Sequence, residues 1–144
     1  MNKKNILLIF GFGYTAKFMC QKFSKKNWEV FCTSRFKEKA KEIKSLNATP
    51  VFFDDEEKIK SILSKNSYIL STVPPQNGND PVIENYGYLF KKNSERIKWA
   101  GYLSTTSVYG DKKGGWVTED TVLEPNLERS ISRVAVEKSW LIFG

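Results

Sequence analysis

Apolar residues in this chain come in short runs, and amphipathic stretches separate one run from the next. Asn5 to Phe10 (NILLIF) reads as a first strand. After it, Ala16, Met19, Cys20 and Phe23 recur at i, i+3, i+4 and i+7, which places them on one buried face of a helix. Glu29 to Thr33 reads as a second strand, Lys37 to Leu46 as a helix and Pro50 to Phe53 as a short strand. Glu56 to Leu63 reads as a helix with Ile59, Ile62 and Leu63 inward. Tyr68 to Thr72 is a fourth strand, ended by Pro74 and Pro75, which lack the N–H that a ladder needs. A helix around Val82 to Lys92 and a strand around Trp99 to Ser104 complete the series. This alternation predicts an α/β fold: a doubly wound parallel sheet of about five strands, covered on both faces.

Length adds one constraint. A chain of 144 residues suits a single domain, here 1–144, with enough surface to bury for one core. Its 40% hydrophobic and 27% charged residues fit a soluble globular protein. No apolar run approaches the ~18–20 residues that span a bilayer, and the N-terminal run lacks a small-residue cleavage site. The expectation is a cytoplasmic protein with no membrane partner.

Histidine is absent and the two cysteines, Cys20 and Cys32, lie within apolar patterning, so no metal site is expected. Burial as small apolar side chains is the preferred reading of both cysteines over a redox pair. The net charge of +7 raises the question of nucleic acid. The lysines, however, are dispersed from Lys3 to Lys138, and the four arginines (Arg35, Arg96, Arg129, Arg133) form no cluster with aromatics. A solvated basic surface is the better reading, and no nucleic-acid partner is expected.

The break after the first strand carries the chemistry. Gly11, Gly13 and Ala16 form G-x-G-x-x-A between a strand and a helix, the context of a dinucleotide-binding turn. Gly11 permits the tight turn, Gly13 leaves room for a pyrophosphate, and Ala16 lets the helix pack closely on the strand. The helix start, at Tyr14 and Thr15, would offer N–H groups and the positive end of the helix dipole. An ordinary strand-to-helix turn is the alternative. At the end of the second strand, where an NAD site usually places a carboxylate, the sequence has Ser34 and Arg35. A hydroxyl and a guanidinium suit a 2′-phosphate, which favours NADP(H) over NAD as cofactor. A solvated loop arginine is the alternative for Arg35.

The segments GFGYTAKF, LSTVPP and above all GYLSTTSVYGDKKGGWVTEDTVLEP resemble the extended and atypical branch of the short-chain dehydrogenase/reductase superfamily, the NAD-dependent epimerase/dehydratase-like proteins. The likeness runs over essentially the whole chain. It implies a Rossmann domain that binds NAD(P), and it gives Thr105, with Ser104 and Thr106 as close alternatives, the role of hydrogen-bonding a substrate oxygen. A β-branched strand residue at the sheet edge is the other reading of Thr105. The resemblance further implies that Thr72, Val73 and Pro74 line the cofactor, and that Asp54 lies near the adenine unless it caps a helix.

Two departures from the family follow. Aligning AVEKSWL with the family's catalytic helix puts Arg129 and Arg133 where a Tyr-x-x-x-Lys pair is expected. Arginine stays protonated near neutrality and cannot replace the tyrosine as acid/base. Tyr109 is a substitute only if its loop bends inward. The chain also stops at SWLIFG, so the family's C-terminal substrate domain is expected to be lacking. Two functions remain open: an NADP(H)-dependent oxidoreductase-type or epimerase-like protein, or a fragment of one, acting on a sugar-nucleotide or other small-molecule carbonyl substrate, or a non-catalytic NADP(H)-binding or sensing module. Trp140, Leu141 and Phe143 are apolar enough that the last helix either packs on the sheet or joins a homodimer.

Overall fold

In the computed structural model, which describes residues 4–143, five strands form one sheet in the order β3-β2-β1-β4-β5. They are β1 (Asn5–Phe10), β2 (Trp28–Ser34), β3 (Thr49–Phe52), β4 (Ser67–Ser71) and β5 (Ile97–Tyr102). Each neighbouring pair is parallel. The crossovers are α1 (Tyr14–Phe23), α2 (Lys39–Ser45), α3 (Glu56–Leu63) and α4 (Pro81–Lys92); a 3-10 turn (Thr106–Tyr109) and α5 (Glu128–Trp140) follow β5. This is a Rossmann-type doubly wound sheet.

The strand β1 is central, which explains why it is apolar at every position after Asn5. Ile6, Leu8 and Phe10 join the core that also holds Ile59, Leu63, Leu89, Phe90 and Trp140. Leu7 and Ile9 point the other way, into the core with Ala16, Cys20 and Ile43. Phe10 anchors the first core by stacking on Tyr86 at 5.6 Å and meeting Phe53 and Phe90 edge-on. Ala16 and Cys20 are fully buried on α1, whose inward face is therefore small enough for close approach to the sheet.

Strand order reverses between β1 and β4, and the crevice of an open parallel sheet lies at the C-terminal ends of the strands at such a point. The fold thereby sets the glycine turn after β1 beside the Thr72–Pro74 segment after β4. Thr72 seals the junction, donating from both its N–H (2.9 Å) and its hydroxyl (3.0 Å) to the Phe10 carbonyl.

Several boundaries differ from the sequence reading. Helix α2 starts at Lys39, not Lys37. Strand β4 ends at Ser71, which leaves Thr72 in the turn. Strand β5 runs from Ile97 to Tyr102, so Ser104 and Thr105 lie beyond it. The cap of α3 is Asp55, whose side chain accepts from the Lys58 N–H at 3.0 Å, and not Asp54. Trp140 is buried against Phe90, Tyr102 and Phe143, so two of the three residues counted for a homodimer face are used within the chain. Leu141 and Ile142 remain exposed. Among the described residues, no helix is long and apolar enough to cross a membrane.

Candidate functional site

Two clefts open side by side over the C-terminal ends of the strands. The larger, about 760 Å³, is lined by Gly11, Gly13, Ser34, Arg35, Asp54, Thr72, Val73 and Pro74, which is the whole predicted cofactor set apart from Tyr14 and Thr15. Lys39, Phe53 and Asn77 line it as well.

The glycine turn is fixed from two sides. Strand β2 pins it: the Gly11 N–H donates to Thr33 Oγ1 at 3.0 Å, and the Cys32 thiol donates to the Gly11 carbonyl at 3.2 Å. Gly11 has φ +95°, and a Cβ there would lie 2.6 Å from Thr72 Oγ1, so the fold itself requires glycine. Gly13 is different. Its φ is −87°, and a Cβ would meet nothing within 4 Å. The chain has no steric need of glycine at 13; the room above it opens on the cleft.

Tyr14 and Thr15 contribute through the backbone. Tyr14 is 91% exposed, and neither side chain lines the cleft, which corrects any side-chain role for them. Their amides precede the first bond of α1, from the Lys17 N–H to the Gly13 carbonyl at 3.0 Å, and no side chain caps this helix start. Such an end attracts anions.

At the far end of the cleft, the Ser34 hydroxyl closes a short turn, accepting from the Phe36 N–H at 3.0 Å and donating to its carbonyl at 3.3 Å. The exposed Arg35 guanidinium lies 5.9 Å from the Phe36 ring. Asp54 lies across from them, just after β3.

The second cleft, about 680 Å³, shares Pro74 and Asn77 with the first and extends to Thr105, Ser107, Glu128, Arg129, Ser132 and Arg133. Thr105 is the cap of the 3-10 turn, where its hydroxyl accepts from the Ser107 N–H at 3.3 Å, and this replaces the expected place on a strand. Ser107 Oγ lies 3.2 Å from Thr105 Oγ1 and accepts from the buried Ser130 hydroxyl at 2.8 Å. The result is a chain of three hydroxyls that ends at the cleft. Tyr109 lines neither cleft.

Arg129 and Arg133, matched to the family's tyrosine and lysine, sit one helical turn apart on α5 and both line this cleft. Arg133 is held: its Nη1 donates to the Tyr102 hydroxyl and to the Leu103 carbonyl, each at 2.8 Å. Burial pushes the Tyr102 phenol up, against the opposing pull of Arg133.

Sequence reasoning did not find Ser107, Ser130 or Asn77. It also missed Asp80, a buried carboxylate that caps α4 through the Val82 and Ile83 N–H groups at 2.8 and 2.9 Å. The pair Asp80-Pro81 was the available signal, since the acid prefers the cap and proline the first helical position. Among the described residues, no group of three or more potential metal ligands comes together.

No family model matches the sequence, and no curated protein matches it either. Solved structures do. A conserved protein of unknown function from Silicibacter pomeroyi is 34% identical with TM-score 0.87, over 97% of this chain and 50% of that one. A UDP-glucuronic acid 4-epimerase from Bacillus cereus, solved with a fluorinated UDP-sugar and NAD, is 20% identical with TM-score 0.67, over 96% and 52%. A UDP-N-acetylglucosamine 4-epimerase from Bacillus cereus is 14% identical with TM-score 0.65, over 97% and 55%. The chain thus spans about half the length of each structure it matches. The chain shares the fold of about half of each of these two epimerases.

Proposed function

We infer that this chain binds a nicotinamide dinucleotide, preferring NADP(H), and serves an oxidoreductase-type or epimerase-like reaction on a small molecule held in the adjoining cleft. The space above Gly13 carries the reading: a position free of any steric demand by the fold is nevertheless glycine, and it faces a cleft beside an uncapped helix start. A pyrophosphate would lie against that turn and the amides of Tyr14 and Thr15. Ser34 and Arg35, with Lys39 alongside, would hold a 2′-phosphate, the serine by turning its longer bond away from the Phe36 carbonyl. Thr72, Val73 and Pro74 would form the wall, and Asp54 would lie toward the adenine.

When bound, the cofactor accepts or supplies a hydride. The chain's own part is to present Thr105 to a substrate oxygen, with Ser107 and Ser130 fixing the direction of that hydroxyl. Arg129 and Arg133 act there as fixed positive charges. One structural neighbour was solved with NAD, but the hydroxyl that ends β2 here and the guanidinium after it favour the phosphorylated cofactor.

Arginines in the places of the family's tyrosine and lysine favour a second reading, a module that binds the cofactor without turning it over. Calorimetric titration with NADPH and NADH tests the first reading: binding of neither would overturn it. Steady NADPH consumption with a panel of carbonyl compounds, lost in Thr105→Ala, would exclude the non-catalytic alternative.

A further inference from the structure

Among the described residues, Arg129 and Arg133 make no ion pair with an acid within 4.0 Å. Among the described residues, the ion pairs within 4.0 Å are all made by lysines: Lys17 and Lys39 with Glu42, Lys60 with Glu57, and Lys112 with Glu124. Glu128 lines the same cleft as the two arginines yet pairs with neither. Two permanent positive charges therefore line one cleft, with Glu128 the one acidic residue in its lining.

One of these charges is rigidly placed. Both of these hydrogen bonds of Arg133 leave from a single terminal nitrogen, Nη1, so Nε and Nη2 remain as donors. Its guanidinium lies 5.6 Å from the Tyr102 ring centre. Tyr102 stacks on Trp140 at an interplanar angle of 9°, and Trp140 is tied to the buried Asp80 at 2.9 Å. The arginine therefore loses little conformational entropy when it meets a ligand. Arg129 stands one turn away, Ser132 lines the cleft as well, and Asn77 and Gly78 line it from the loop after β4.

We propose that the second cleft is an oxyanion pocket, and that the small molecule it admits carries a carboxylate or phosphate group held by Arg129 and Arg133. The proposal takes its position beside a nucleotide from the cofactor reading above. The anchored group sits at α5, and the rest of the molecule extends past Thr105 toward Pro74 and Asn77, the residues common to both clefts. A neutral carbonyl compound of the same size leaves the two guanidinium groups unused.

The test is calorimetric titration of the full chain saturated with NADP⁺, using inorganic phosphate and malonate as probes and sodium chloride at equal ionic strength as control. At least one oxyanion should bind where chloride does not; phosphate alone or malonate alone identifies the group. Arg129→Ala and Arg133→Lys should each weaken that oxyanion about tenfold or more, the loss expected for a charge-assisted hydrogen bond. Both should leave NADP⁺ affinity unchanged. Arg129 is exposed, so its removal does not threaten the fold. No oxyanion binding, or equal binding in the parent and both variants, overturns the proposal. Should NADP⁺ itself fail to bind, the cofactor reading falls, and the same titrations on the nucleotide-free chain still decide this one.

Discussion

The indole N–H of Trp140 donates to Asp80 Oδ2 across 2.9 Å, joining residues 60 positions apart. The other oxygen of that carboxylate caps α4, so one buried acid ties the start of α4 to the end of α5. Removing it should cost the cap, about 0.5–2 kcal/mol, and leave a buried indole N–H unpaired, about 1–3 kcal/mol more. Asp80→Ala should therefore lower the unfolding free energy in denaturant by roughly 1.5–5 kcal/mol. Trp140→Phe, which keeps a ring against Tyr102 but loses the donor, should cost less than Asp80→Ala. An unchanged midpoint in Asp80→Ala would show that this carboxylate does not join the two helices.

The two glycines of the turn should respond oppositely. Gly11→Ala puts a side chain at φ +95° and 2.6 Å from Thr72 Oγ1, so it should destabilise the fold by about 1–3 kcal/mol. Gly13→Val enters open space and should leave stability within about 0.5 kcal/mol of the parent. It should nonetheless abolish nucleotide binding. Retained NADPH affinity in a folded Gly13→Val protein would place the phosphates elsewhere.

Arg35→Ala should separate the two cofactors. Loss of a charged hydrogen bond to a 2′-phosphate is worth about 1.5–3 kcal/mol, so NADPH should bind roughly ten- to a hundredfold more weakly. NADH should bind as before. Equal losses for both, or tighter NADH binding by the parent, would rule out the phosphate role of Arg35.

Alkaline pH should expose the role of Tyr86. Its phenol, hydrogen-bonded to the Phe53 carbonyl, is pushed from 10 up to about 12, by burial first and then by the charges of Asp54, Glu56 and Asp55. The unfolded chain ionises this group at about 10. The stability it contributes is therefore whole below about pH 10 and is lost as pH rises through about 12. Tyr86→Phe should flatten that part of the stability profile, since Tyr88 and Tyr102, also raised, are common to both proteins. Parallel profiles for the two proteins would contradict this assignment.

Local patterning made the sheet legible, and it gave out where burial became one-sided. β1 and α3 match their predicted spans because their buried positions are strongly apolar. The edge strand β5 does not: Lys98 and Trp99 are exposed, and Trp99 lies over Gly101, so its first half lacks the apolar signature of a strand. The lining of the larger cleft was readable because its parts lie at strand ends, whose positions follow from the alternation. The hydroxyl chain from Thr105 to Ser130 was not, because it depends on how α5 lies against the 3-10 turn, a contact between distant segments. The same holds for the buried face of Trp140, where sequence showed only that an apolar surface needed cover.

The strand that begins the chain lies in the middle of the sheet, and this has a kinetic consequence. Ile6 pairs with Glu29 on one side and with Ser67 on the other, so β1 has neither neighbour when it leaves the ribosome. One edge of it can pair once β2 has been made, but the other stays open until β4 has been made, and both ladders close loops over long sequence separations. During synthesis the strand destined to be the most protected is the most exposed to aggregation, and early protection by a chaperone would act on it first.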